Sequence, residues 1–322
     1  MEQRQLGGSG LWVSRIALGT MTWGRDTGED DAAQQLIAFV ESGGTLVDTA
    51  DVYADGDSER MLGRLLGVAA RRSDVIIATK SGRAGGARNP DASRRHLLSA
   101  LDASLRRLGV DEVDLWQLHG HDPRTPMEET LAAVDTAVSS GRVRYAGLCD
   151  HNAWQLAKAA AWQRAGAQAG RAPVVSSQME YSLLNRSVEG DLLEAAADAG
   201  VSLLAWSPLG RGVLTGKYRS GIPADSRAAS GHLAPFVQPY LDERSRRIVE
   251  SVHTAADGLG VAPLAVALSW VRDRPGVAAP VVGARTAEQL EEILDAESVT
   301  LPYAIRTALD DVSAGHDLDE DG

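Results

Sequence analysis

Short apolar runs recur along the chain, separated by longer stretches with helical spacing. The runs fall at residues 14–18, 45–47, 75–78, 113–118, 144–148, 174–177, 202–205 and 278–282. Between them apolar residues return every three or four positions, as in Leu97, Leu98, Leu101, Leu105 and Leu108, or Leu264, Val266, Leu268, Trp270 and Val271. A brief bounded run predicts a strand, and the longer spacing predicts an amphipathic helix. Glycine closes several helical stretches, at Glu41-Ser-Gly-Gly44, Ser140-Gly-Arg142 and Asp198-Ala-Gly200. There it adopts a left-handed cap at little cost.

Strand and helix alternating eight times over predict parallel strands joined by crossover helices. An open doubly wound sheet and a closed barrel both fit that order. The doubly wound dinucleotide fold carries G-x-G-x-x-G after its first strand. Here the first strand runs into Gly19-Thr-Met-Thr-Trp-Gly24, and Gly258-Leu-Gly260 stands between helices. The expected fold is therefore α/β, a (β/α)8 TIM barrel forming one domain over residues 1–322. Long loops are expected at its C-terminal face, at 81–90 and 219–239, together with a disordered acidic tail at 317–322.

Composition narrows the partners. A formal net charge of −12 argues against nucleic acid or an anionic membrane. It leaves room for local basic residues that build an anion pocket. The single cysteine, Cys149, excludes an internal disulfide and fits a reducing compartment. Residues 1–22 lack the apolar run of a signal peptide, and no stretch approaches the length of a membrane span. A cytoplasmic protein of open oligomeric state is expected.

In a (β/α)8 barrel, chemistry sits at the C-terminal ends of the strands. Those ends carry Asp48, Lys80, His119, Cys149-Asp150, Gln178 and Trp206-Ser207. Each has a plain structural use: Asp48 as a turn cap, Asp150 as the N-cap of a helix from His151, His119 as a satisfied core histidine. Together, an acid, a lysine and a histidine on successive strand ends mark one rim as a candidate active site.

The stretch Gly44-Thr-Leu-Val-Asp-Thr-Ala-Asp-Val-Tyr53, followed by Ser58-Glu59 and Leu62-Gly63, resembles the first signature of the aldo-keto reductase family. The opening, Leu6 through Met21, resembles that family's start. Later blocks resemble it too: Ser177-Gln-Met-Glu-Tyr-Ser-Leu-Leu-Asn185, Ser207-Pro-Leu-Gly-Arg-Gly-Val-Leu-Thr-Gly-Lys217 and Val282-Gly-Ala-Arg-Thr-Ala-Glu-Gln289. The likeness is greatest to the bacterial and potassium-channel β-subunit-like branch.

The resemblance implies NADPH-dependent reduction of an aldehyde or ketone, and its reverse, by Asp48, Tyr53, Lys80 and His119. These residue types suit the chemistry. A phenol with a pKa of roughly 10 is a poor acid unless its anion is stabilised. A buried Lys80 ammonium beside it would favour phenolate, and Asp48 would keep Lys80 charged. His119 would orient the carbonyl. Metal is not required.

For NADPH/NADP+, the resemblance places nicotinamide against Trp206, its carboxamide held by Cys149, Asp150 and Gln178, near Gly19, Thr20 and Met21. It implies that the pyrophosphate lies on Ser207, Pro208, Leu209, Gly210, Gly212 and Leu214, near Lys217, under the 219–239 loop as a clamp. Two positions depart from the family: Cys149-Asp150 replaces its usual Ser-Asn, and Ile293 replaces an asparagine near adenine. An ionised Asp150 accepts from an amide NH2 but cannot donate to its carbonyl. Thr286-x-x-Gln289 reads independently as a capping box, which starts a helix just after Gly283 and Arg285. A helix N-terminus beside an arginine is an anion site, suited to an adenosine 2′-phosphate. Trp23 and Trp116 are expected in the wall of the substrate pocket, with the rim loops and the C-terminal segment.

Other chemistries can use some of these residues. Lys80 could form a Schiff base in a barrel aldolase, and His119-Gly-His121-Asp122 looks like part of a hydrolase metal site. The β-subunit-like branch also admits a regulatory cofactor-binding protein with slow turnover.

Overall fold

The computed structural model describes residues 1–84, 89–224 and 226–314. The tail at 317–322 and the centre of the 81–90 loop lie outside them. Strands β1 (Gln3–Gln5) and β2 (Trp12–Ser14) form an antiparallel hairpin. Eight more follow: β3 (Ala17–Gly19), β4 (Leu46–Asp48), β5 (Ile76–Ser81), β6 (Val113–Leu118), β7 (Val143–Cys149), β8 (Val174–Glu180), β9 (Ser202–Trp206) and β10 (Val277–Val282). Each pairs in parallel with the next, and β10 closes onto β3, giving the expected eight-stranded barrel.

Helices occupy the crossovers. They are α1 (Glu29–Glu41), α2 (Asp57–Leu65), α3 (Arg94–Leu108), α4 (Met127–Ser139), α5 (Ala153–Ala165) and α6 (Asp191–Ala199). Between β9 and β10 come α7 (Ala234–Val237), α8 (Glu243–Leu259) and α9 (Pro263–Arg272). Last are α10 (Ala287–Asp295) and α11 (Tyr303–Ser313). In α3 the spaced leucines 97, 101, 105 and 108 are buried, Ser93 caps the start, and Gly109 ends the helix at φ 68°. In α9 every residue from Leu264 to Arg272 is buried, so its apolar positions run all round the helix rather than along one stripe. No single helix among the described residues is long and apolar enough to cross a membrane.

The start of the chain departs from the expected strand at 14–18. Ser14 ends the hairpin instead, because its hydroxyl donates to the Ile16 carbonyl and accepts from the Thr45 and Leu46 amides. That turns the backbone before β3 begins. The hairpin lies across the N-terminal end of the barrel: Gly8 N–H donates to Gly200 O (2.8 Å) and Gly7 N–H to Ser202 Oγ (2.8 Å). Leu6 and Val13 complete a buried cluster with Leu46, Ala78, Leu115, Val175, Leu204 and Ala279. With that end sealed, the open rim is the C-terminal one.

Candidate active site

Asp48 is the last residue of β4, and the chain beyond it keeps pairing with β5 through Thr49 N–H to Ala78 O and Asp51 N–H to Lys80 O. Tyr53 N–H then closes a turn on Ala50 O. Ala54, Asp55 and Gly56 follow at φ 48°, 53° and 88°, reversing the chain into α2. Left-handed backbone at two residues with side chains costs about 1–2 kcal/mol each. That strain is held beside the residue the turn delivers, since Tyr53 now stands over β5.

There Lys80 Nζ donates to Asp48 Oδ2 (2.6 Å), Thr49 O (2.9 Å) and Tyr53 Oη (3.1 Å), and Lys80 is fully buried. Asp48 Oδ1 accepts from Gln178 Nε2 (2.8 Å) and Gln117 Nε2 (3.3 Å). Burial pulls the Lys80 pKa down, but the Asp48 charge and its hydrogen bond help to outweigh it and leave Lys80 above its ordinary value. Lys80 is a fixed cation.

Lys80 also pulls the Tyr53 phenol towards ionisation, as expected, but burial is the larger effect and raises its pKa. Tyr53 is therefore a neutral phenol. Because Lys80 donates to its oxygen, the hydroxyl proton must point elsewhere. The His119 ring meets the Tyr53 ring edge-on, with centroids 6.1 Å apart at 84°. Burial, then the Lys80 and Arg83 charges, lower His119 to about 2, so its imidazole is neutral. Its Nδ1 has no hydrogen-bond partner among the described residues. One cation, one phenol proton and one neutral imidazole thus converge on the rim.

The neighbouring ends hold Cys149, Asp150 and Trp206. Burial, followed by the Asp150 charge, raises the Cys149 thiol well above its usual range, so it stays protonated. Asp150 does not cap the following helix: Asn152 does, in a capping box with Gln155. Instead Asp150 sits at φ 52°, with Oδ1 accepting from Trp206 Nε1 (3.0 Å) and Oδ2 from Arg83 Nη2 (3.2 Å).

Beyond β9, Ser207 (φ 52°), Gly210 (56°), Arg211 (59°) and Gly212 (91°) take left-handed backbone in a tight loop, in which the Gly212 and Leu214 N–H groups donate to Leu209 O. A Cβ added at Gly212 would stand 3.0 Å from Lys217 Nζ. At β10, Thr286 caps α10 by accepting from Gln289 N–H, but Gln289 Oε1 accepts from Arg285 N–H rather than from Thr286. Half of the capping box therefore forms. The 219–239 loop brings Arg227 to this point, with a guanidinium nitrogen 3.9 Å from a Cβ built at Gly283. Burial and then the Arg285 charge depress the Arg227 pKa. Two like charges pressed together at a helix N-terminus fit a phosphate dianion. Arg227 was not anticipated, because a long polar loop does not reveal which side chain it turns inward.

A family model for the aldo/keto reductase family matches residues 15–313. The chain belongs to that family. It is 35% identical over 98% of its length, and 97% of the relative's, to the "Uncharacterized oxidoreductase YrpG" of Bacillus subtilis. It is 34% identical to a "Probable voltage-gated potassium channel subunit beta" of Oryza sativa, covering 98% of this chain and 96% of that one. A protein of the same name in Arabidopsis thaliana is also 34% identical, over 97% and 95%. An oxidoreductase of this family acts with a nicotinamide cofactor on carbonyl compounds.

Within this aldo/keto reductase, several expected residues sit elsewhere than anticipated. Trp23 and Trp116, expected in the wall of the substrate pocket, are both buried and pack into the hydrophobic core. Gln117 points inward to Asp48, so its neighbour Trp116 faces the other side of β6, with Nε1 donating to Ser81 Oγ (3.2 Å). Trp23 donates to Gln35 Oε1 of α1 (3.0 Å), the partner a buried indole N–H requires. Gln178 gives an amide N–H to Asp48 and keeps its place beside Cys149, whose Sγ donates to its Oε1. Ser58 of the signature lies inside α2 and bonds Thr20 and Thr49. Ile293 packs in the core. His121 turns to His151 and Trp154, and among the described residues no three His, Cys, Asp or Glu side chains gather as a metal site. Gln117 itself was missed. A glutamine inside an apolar strand is its signal.

Proposed function

We propose that this chain reduces an aldehyde or ketone to the alcohol, reversibly, with NADPH, and that Tyr53 gives the proton. The observation that carries the proposal is Lys80 Nζ, bonded at once to Asp48 Oδ2 and Tyr53 Oη beside a neutral His119. The bound nicotinamide would supply the hydride. As alkoxide charge develops on the substrate oxygen, the outward Tyr53 proton moves onto it. The Lys80 ammonium stabilises the phenolate left behind, and Asp48, holding two glutamine amides, keeps Lys80 in place. His119, neutral, donates to the same oxygen without competing for the proton.

Trp206 would stack on the nicotinamide ring, with Cys149, Asp150 and Gln178 along its edge and Gly19-Thr20-Met21 beneath. Ser207 through Leu214, with Lys217, would hold the pyrophosphate. Arg285, Gln289 and Arg227, close to Gly283, would bind the 2′-phosphate, which favours NADPH over NADH.

Replacing Tyr53 with Phe is the decisive test. Reduction of a carbonyl panel, followed by NADPH oxidation, should fall roughly 10²–10⁴-fold. NADPH should still quench Trp206 fluorescence in that variant. Full activity in Tyr53→Phe, or no quenching in the parent protein, would sink the assignment.

A further inference from the structure

Arg83, two residues past β5, stands at the open rim with its side chain about half exposed. Its Nε donates to the backbone carbonyl of His119 (3.0 Å), the residue whose imidazole faces Tyr53. Its Nη2 donates to Asp150 Oδ2 (3.2 Å). The guanidinium is thus pinned at two points on two other strand ends, and Nη1 makes no hydrogen bond among the described residues. Its charge also reaches the site, contributing to the lowered basicity of His119 and acting on the Cys149 thiol.

The acid that anchors it is already spoken for. Asp150 Oδ1 accepts from the Trp206 indole, and Oδ2 faces Arg83. Among the described residues, Nη1 and one N–H of Nη2 are therefore left without a partner, as donors for a molecule that binds over Tyr53 and His119. Guanidinium matches a carboxylate through parallel N–H donors on one edge. This arginine is anchored by Nε and one Nη, which leaves the other edge of the guanidinium for a bidentate partner.

Resting on the reductase assignment above, we propose that Arg83 is a specificity-determining residue that binds the carboxylate of a carboxyl-bearing aldehyde or ketone. The substrate class is then an oxo acid whose carbonyl and carboxylate are a few bonds apart. His119 links the two ends: its ring serves the carbonyl oxygen, and its backbone holds the arginine that serves the carboxylate. Asp150 is a positioning residue, fixing both Arg83 and the Trp206 indole.

The test compares 4-carboxybenzaldehyde with its methyl ester, which differ in charge but share the aldehyde. In the parent protein kcat/KM should favour the acid by about tenfold or more, carried mainly in KM, and added salt should erode the preference. Arg83→Gln should abolish that preference while leaving the ester within about twofold; Arg83→Lys should restore part of it. Equal rates for acid and ester, or a preference that survives Arg83→Gln, would overturn the proposal. A second arm needs no turnover: titrating terephthalate against its dimethyl ester, read by tryptophan fluorescence. Binding of the diacid that is lost in Arg83→Gln supports the anion site even if no carbonyl compound is reduced, in which case the reductase assignment alone falls. No diacid binding to the parent protein overturns the site.

Discussion

Asp51 lies one turn from Tyr53 and follows an opposite logic to Asp48. Asp48 takes a lysine and two amides, whereas Asp51 Oδ1 has no hydrogen-bond partner among the described residues. Burial first, then the charge of the buried Glu59, push Asp51 up to about 7. The unfolded chain releases that proton near pH 4. Between about pH 4 and 7 the folded protein alone keeps it, so stability falls as pH rises through that window and levels off above it. Asp51→Asn should therefore stabilise the protein at pH 8 by a few kcal/mol and give no gain at pH 4, as read by urea unfolding at the two values. An equal effect at both would show that Asp51 is already ionised or already paired.

At the scale of elements, the 219–239 loop does more than its composition suggests. From β9 it crosses to His232, which faces Asp26 at 3.3 Å, and on the way sets Arg227 beside Arg285. If it holds a 2′-phosphate, Arg227→Ala should weaken NADPH binding by about tenfold to a hundredfold and leave NADH nearly unchanged, as calorimetry would show. Equal losses for the two cofactors would remove Arg227 from the phosphate site. Strand ends were legible in the sequence because short apolar runs end at a polar residue, and so Asp48, Lys80 and His119 could be placed on one rim. Side-chain direction was less legible. Trp116 and Gln117 differ only in which face of β6 they occupy, and a one-residue change of phase exchanges core for site. Asp150 looks like a cap in a linear reading, yet it is used by a group distant in sequence, Trp206. The Gln3–Ser14 hairpin went unread because its strands are short and mostly polar, and they become a barrel plug only once the barrel exists.

For the whole molecule, the sealed end and the open rim are two halves of one arrangement, and Gly7 shows how tight the seal is. It adopts φ 58°, and an added Cβ would come within 2.4 Å of the Val175 carbonyl oxygen and 2.8 Å of that of Gly200. Gly7→Ala should cost about 1–3 kcal/mol or more, measured by urea unfolding, with the chemistry of the distant rim little altered. Unchanged stability would mean that the hairpin can lift away.

Closure of β10 onto β3 also has a consequence for synthesis. The seam is short, pairing Val281 with Ala17 and Val282 with Leu18, and it joins the first barrel strand made to the last. Until residue 282 has left the ribosome, seven strands can form only an open parallel sheet with two unpaired edges. A truncated message would release not a smaller barrel but a sticky sheet, fit for a chaperone or a protease.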